Sequence, residues 1–232
     1  MEWLRLSPVE WDAMRLSLRV AVWAVLLSLP LGIAVAWVLS RLDFPGRRLL
    51  DGCIHLPLVL PPVVTGYFLL LAFGRNGFIG SFLYAHFDFT LAFRWTGAVL
   101  ASAVMAFPLM VRAIRLSLDN VDRGVEAAAR TLGAGPVRVF FTVTMPLAVP
   151  GVITGAVLAF ARSLGEFGAT IMFVSNIPGQ TQTLPLALYT LTQVPGGESG
   201  AMRLCIIAVI IAMVALVSSE LLSRRHATAL DG

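Results

Sequence analysis

Five long stretches of this 232-residue chain carry no charged side chain, and that pattern narrows the possible folds more than any other feature. They run from Val20 to Leu39, Gly52 to Gly74, Trp95 to Val111, Val139 to Ala161 and Leu204 to Ser219. A helix needs ~20 largely apolar residues to cross ~30 Å of hydrocarbon, so each stretch is a candidate membrane span. The third and fifth are slightly short, but an arginine at a helix end can snorkel to the interface and extend them. The expectation is an all-α membrane protein. A single transmembrane domain, 1–232, would hold about five spans near 16–40, 53–74, 94–114, 148–167 and 203–222, with a long loop over 115–147. Apolar residues make up 58% and charged residues 13%, against ~45–50% and ~25% in soluble domains, which excludes an ordinary soluble enzyme.

A sixth charge-free window, Phe167 to Gly197, does not read as a span. Its middle is Ser175-Asn176-Ile177-Pro178-Gly179-Gln180-Thr181-Gln182-Thr183, and unpaired backbone and amide groups are too costly in lipid for a simple crossing. It reads as a loop with a short helix, Leu184 to Gln193, packed at or just within the bilayer surface.

All 17 basic residues are arginine. Without lysine the chain has no P-loop lysine and no Schiff-base lysine, so any work driven by ATP needs another chain to hydrolyse it. With five spans the termini lie on opposite sides. One side collects ten arginines: Arg41, Arg47, Arg48, Arg112, Arg115, Arg123, Arg130, Arg138, Arg224 and Arg225. The other has six: Arg5, Arg15, Arg19, Arg75, Arg94 and Arg203. The excess places the N-terminus outside and the C-terminus in the cytoplasm. No cleaved leader is expected, because residues 1–19 mix three arginines with Glu2, Glu10 and Asp12. Cys53 and Cys205 sit at the edges of separate apolar segments and read as small apolar fillers, not a disulfide. No metal-ligand cluster, nucleophile–base arrangement or nucleic-acid signature stands out.

The loop over 115–147 has internal pattern, which in a loop this long points to function. Asp119 or Asn120 can N-cap a helix whose Val121, Val125, Ala128 and Leu132 form an apolar stripe, and Gly133 can stop it. Pro136 then suits the first position of a second short helix running through Phe140, Phe141 and Val143 toward Met145-Pro146. Glu126 and Arg130 are spaced for an i,i+4 ion pair. From these residues the loop could be an amphipathic surface helix or a rigid plug for a groove in a soluble partner.

Glu126-Ala127-Ala128, then Gly133, then Val143-Thr144-Met145-Pro146 resembles the loop signature of bacterial ABC importer permeases, with Val143 and Met145 as volume-conserving departures. Three further runs resemble the molybdate branch of those permeases: His55-Leu56-Pro57-Leu58-Val59-Leu60-Pro61-Pro62-Val63-Val64, the run from Ala161 to Thr170, and Phe173 to Gly179. Sulfate permeases share the general themes. The resemblance implies a type I importer permease fold with cytoplasmic coupling helices, in a bacterial inner membrane. It implies that Glu126, Ala127, Ala128 and Gly133, with Val143, Met145 and Pro146, dock into a cytoplasmic ATP-binding subunit. It implies a homodimer, two such ATPases holding ATP and magnesium, an extracytoplasmic oxyanion-binding protein, and no cofactor or catalytic residue in this chain.

Within the spans, Pro57, Pro61 and Pro62 break regular helix hydrogen bonding and belong against protein or water, as a flexible wall of a path or as a static kink. Gly151, Gly155 and Ala159 recur every four residues as a close-packing face. Arg162 and Glu166 are spaced to pair near the outer membrane half, either as a neutralised structural pair or as positive potential on an oxyanion path, with Gly165 and Gly168 letting the helix end bend. The leading function is a permease for molybdate or a similar tetrahedral oxyanion such as tungstate or sulfate. An ion-coupled secondary transporter using Glu166 or His55, and a membrane scaffold, are the alternatives.

Overall fold

The computed structural model describes residues 6–230, with side chains described through Ser218. Arg5, and the side chains of Arg224 and Arg225, which enter the charge count, lie outside that description. The order is α1 (Pro8–Arg41), α2 (Arg47–Val59), α3 (Pro62–Phe73), α4 (Phe78–Phe87), α5 (Trp95–Asn120), α6 (Arg123–Thr131), α7 (Pro136–Val139), α8 (Met145–Leu164), α9 (Gly168–Val174), α10 (Leu184–Thr192) and α11 (Glu198–Leu230).

Helix α5 is the centre. Its buried Ala98, Ala101, Met105, Ile114 and Leu118 follow helical spacing, and α1 and α8 pack along it. Small residues make that approach close. A Cβ added at Gly151 would lie 2.1 Å from Ser117 Cβ, and one at Gly155 would lie 3.0 Å from Ile114 and from the Met110 carbonyl oxygen. The repeat in α8 therefore packs inside this chain, against α5. Helix α1 shows the same inversion of soluble-protein logic: Ala21, Ala24 and Ala36 face inward, and Leu26, Leu27 and Leu31 face outward. In lipid, exposed leucine carries no penalty and interfaces select small residues that let backbones approach.

Among the described residues four helices are long and apolar enough to cross a membrane: α1, α5, Pro136–Leu164 and Glu198–Ser218. A fifth crossing requires α2 and α3 together, which meet at 113°. The window Gly52 to Gly74 is thus not a straight helix. Pro61 and Pro62 remove two successive N–H donors, and the preceding Leu60 is driven to extended backbone at ψ 143°.

Several local expectations are corrected. Helix α5 runs on to Asn120, so Asp119 and Asn120 do not cap the next helix; Asp122 does, accepting from Gly124 N at 2.7 Å. The second loop helix does not stop at Met145-Pro146 but continues from Pro136 to Leu164. Cys53 and Cys205 are free thiols and exposed, not buried fillers. Helix α4 and helix α9 have no counterpart in the sequence patterning: α9 lies within the sixth window and buries Ala169, Thr170, Phe173 and Val174 against α3 and α5.

Candidate functional site

The loop between α5 and α8 forms a structured module clamped to the end of α1. Asp122 starts α6, and Gly133, at φ +85°, takes the chain out of it in a conformation that suits glycine. Pro136 opens α7, and Phe140–Thr144 follows as one π-helical turn leading into α8. The proline at 146 supplies no N–H for an ordinary i→i−4 bond, and the widened turn accommodates it, with Met145 N donating to the Phe140 carbonyl.

That turn carries Thr144 to Glu126. Glu126 Oε1 accepts from Thr144 Oγ1 at 2.7 Å and from Arg41 Nη2 at 2.8 Å, with Glu126 4% exposed. Arg130, the i,i+4 partner, stands 3.9 Å from Oε2 and is largely exposed. The stronger partner is thus Arg41, at the end of α1 and 85 positions away. Around it, Arg123 Nη2 donates to the Ser40 carbonyl at 3.3 Å, Ser40 Oγ donates to Asp119 at 2.5 Å, and the Trp37 and Phe140 rings meet edge to face at 6.0 Å. Positive charge at the last turn of α1 also suits the helix dipole.

The site residues therefore divide by direction. The Glu126 side chain is buried and holds the loop from within. Ala127, Ala128 and Gly133 are exposed, Val143 and Met145 are half-buried, and Pro146 is exposed at the foot of α8. The same module exposes four large apolar side chains that sequence spacing assigned to a stripe or a short helix or left unassigned: Val125, Leu132 (89% exposed), Val137 and Phe141. Arg130 and Arg138, on the same two short helices, are exposed as well.

The residues assigned to a path fall into two places. Arg162 Nη1 pairs with Glu166 Oε2 at 2.6 Å, and Glu166 Oε1 accepts from Ala169 N at 2.7 Å in the first turn of α9. Gly165 ends α8 at this break. The pair is local: Glu166 Oε1 takes the hydrogen bond from α9, and the buried Oε2 stands in ion-pair contact with Arg162 and has no hydrogen-bond partner. Pro61 and Pro62 form the bend, and Gly168 sits so close to Pro62 that an added Cβ would be 2.7 Å from the Pro62 Cβ. The α2–α3 bend and the α8–α9 break are thus adjacent. Pro57 lies apart, lining an apolar cavity of about 620 Å³ with Trp23, Leu27 and Phe107. His55 Nδ1 lies 2.8 Å from the Asp51 carbonyl oxygen and 3.3 Å from its carboxylate. Among the described residues no group of His, Cys, Asp and Glu could hold a metal ion.

Arg41 and Thr144 are the functional residues that spacing misses. Sequence patterning assigned Arg41 only to the charge balance of the loops, and no periodicity links it to Glu126. The available signal is chemical: a glutamate in an apolar, alanine-rich helix needs a cation if that face is buried.

The chain belongs to the family of binding-protein-dependent transport system inner membrane components, whose model matches residues 28–227. It is 66% identical over 219 residues to the molybdenum transport system permease protein ModB of Escherichia coli, covering 94% of this chain and 96% of the relative. The ModB of Haemophilus influenzae is 61% identical over 217 residues, with 94% and 95% covered. A solved bacterial ABC transporter that imports the acidic polysaccharide alginate shares the fold, with a TM-score of 0.75 at 16% identity, over 95% of this chain and 80% of that one.

Proposed function

We infer that this chain is the membrane permease subunit of an ATP-driven importer that moves molybdate, or a similar tetrahedral oxyanion, into the cytoplasm. It works as a homodimer in a bacterial inner membrane, N-terminus outside and C-terminus inside. Two cytoplasmic ATPase subunits hold ATP and magnesium, and an extracytoplasmic protein delivers the anion. The anion class rests on identity to the molybdenum permeases across nearly the whole chain. The observation that carries the coupling role is the loop: the exposed apolar side chains of Val125, Leu132, Val137 and Phe141 on a module held from within by a buried glutamate. Such a surface is complementary to an apolar groove with an acidic rim that meets Arg130 and Arg138. ATP binding that closes the two ATPases would move both loops and switch the spans between inward and outward access.

The test is reconstitution of the chain with its partner ATPase and binding protein. ATP-dependent molybdate accumulation in proteoliposomes that requires the binding protein is expected. Accumulation that is independent of ATP, or driven by a proton gradient alone, would reject the reading.

A further inference from the structure

Helices α5 and α8 are joined to the loop by the chain itself, so any displacement of the loop reaches them through the backbone. Helix α1 has no covalent link to the loop, and below its packing on α5 and α8 it meets the loop only at its end. It precedes the loop by more than 70 residues, with α2, α3, α4 and α5 in between. Its hold on the loop is non-covalent and gathered in its last five residues. Trp37 meets Phe140, the Ser40 hydroxyl and carbonyl meet Asp119 and Arg123, and Arg41 reaches Glu126 and the Val121 carbonyl.

Of these contacts the Arg41–Glu126 pair has the character of a latch. Side-chain exposure is 9% for Arg41 and 6% for Glu126, so separation would leave two charges in a site with little water. The same Glu126 oxygen takes the Thr144 hydroxyl from the π turn under α8. One carboxylate thus ties three elements: α6, the base of α8 and the end of α1. Being buried, the pair resists shear far better than the exposed pairs nearby, such as Arg130–Glu126 at 3.9 Å.

We propose that Arg41 is a positioning residue for transport: through Glu126 it makes α1 move as one body with the loop, so that the ATPase stroke drives α1 as well as α5 and α8. This rests on the functional reading above. With both charges removed together, the ATPases would still dock on the exposed apolar side chains and still hydrolyse ATP, but the cytoplasmic end of α1, held then by its packing on α5 and α8, would follow the stroke less completely.

The test uses the reconstituted complex with Cys53 and Cys205 changed to serine. A spin label placed by Leu31→Cys on the exposed face of α1, or by Leu158→Cys on α8, reports the distance between the two copies with and without trapped nucleotide. The paired replacement Arg41→Met with Glu126→Met removes both charges together, so neither is left buried alone. In the parent complex both distances are expected to change on trapping. In the paired variant the α8 change should persist, the α1 change should shrink relative to it, and molybdate moved per ATP hydrolysed should fall about tenfold. An unaltered α1 change with unaltered transport per ATP would overturn the proposal. Where the paired variant does not assemble, the charge exchange Arg41→Glu with Glu126→Arg decides: restored assembly with a restored α1 change supports the latch, and restored assembly without it overturns the latch. A parent complex that hydrolyses ATP without moving molybdate would count against the functional reading instead.

Discussion

Three glutamates are buried among the described residues and each holds an arginine; Glu10 ties the start of α1 to Arg203 of α11, and the other two, Glu166 and Glu126, do different jobs. Glu166 pairs with Arg162 one turn earlier and caps α9, so all its partners lie within four residues. Glu126 takes Arg41 from 85 positions upstream and Thr144 from 18 positions downstream. The first shapes one break in one stretch of chain. The second joins elements that could otherwise slide past one another. Burial and charge are similar at the two sites; what differs is how much of the fold hangs on the carboxylate.

Substitution should expose that difference. The largest effect is expected for Glu126→Ala, which, unlike the paired replacement, leaves Arg41 buried and unpaired at a cost of about 3–5 kcal/mol and so disrupts the fold of the loop itself. The variant should lose co-purification with its ATPase and gain protease cleavage within 121–135. At the other site, Glu166→Gln keeps an oxygen for Ala169 N while giving up the charge opposite Arg162. It should cost about 1–3 kcal/mol, seen as a lower thermal midpoint of the detergent-solubilised permease, with ATPase binding intact. If Glu166→Gln abolished ATPase binding as Glu126→Ala does, the contrast between local and bridging roles would collapse. Thr144→Val removes one of the two donors to Glu126 and should cost about 1 kcal/mol, raising the ATPase dissociation constant several-fold in a pull-down titration. The smallest effect belongs to Arg130→Ala, whose exposed pairing at 3.9 Å should contribute less than about 0.5 kcal/mol to thermal stability.

The contrast also shows what a sequence can disclose. The Arg162–Glu166 pair was legible because helical spacing places i and i+4 side by side, and Gly151-Gly155-Ala159 was legible as a packing face for the same reason. The long apolar helices were legible because lipid demands length and the absence of charge. Arg41–Glu126 was not, since nothing in local periodicity reports which distant side chain a buried carboxylate will meet. Helix α9 escaped notice because its apolar run adjoins the polar segment Ser175 to Thr183, which pays for its burial with hydrogen bonds among its own side chains: Gln182 Nε2 donates to Asn176, and Thr181 accepts from Ile177 N. The inward turn of Glu126 was hidden for a related reason. Motif resemblance marks a residue as important without saying which way it faces.

The inside–outside division of the loop is the point most directly open to measurement. In a Cys53→Ser, Cys205→Ser background, the reconstituted complex can carry Leu132→Cys or Thr144→Cys and be treated with a short bifunctional thiol–amine reagent. Leu132 is 89% exposed and Thr144 is 2% exposed, so the former should crosslink to the ATPase subunit in a nucleotide-sensitive way and the latter should not. Equal crosslinking from both positions, or none from Leu132→Cys in a fully assembled complex, would contradict a loop that docks by its exposed side chains while Glu126 holds it from within.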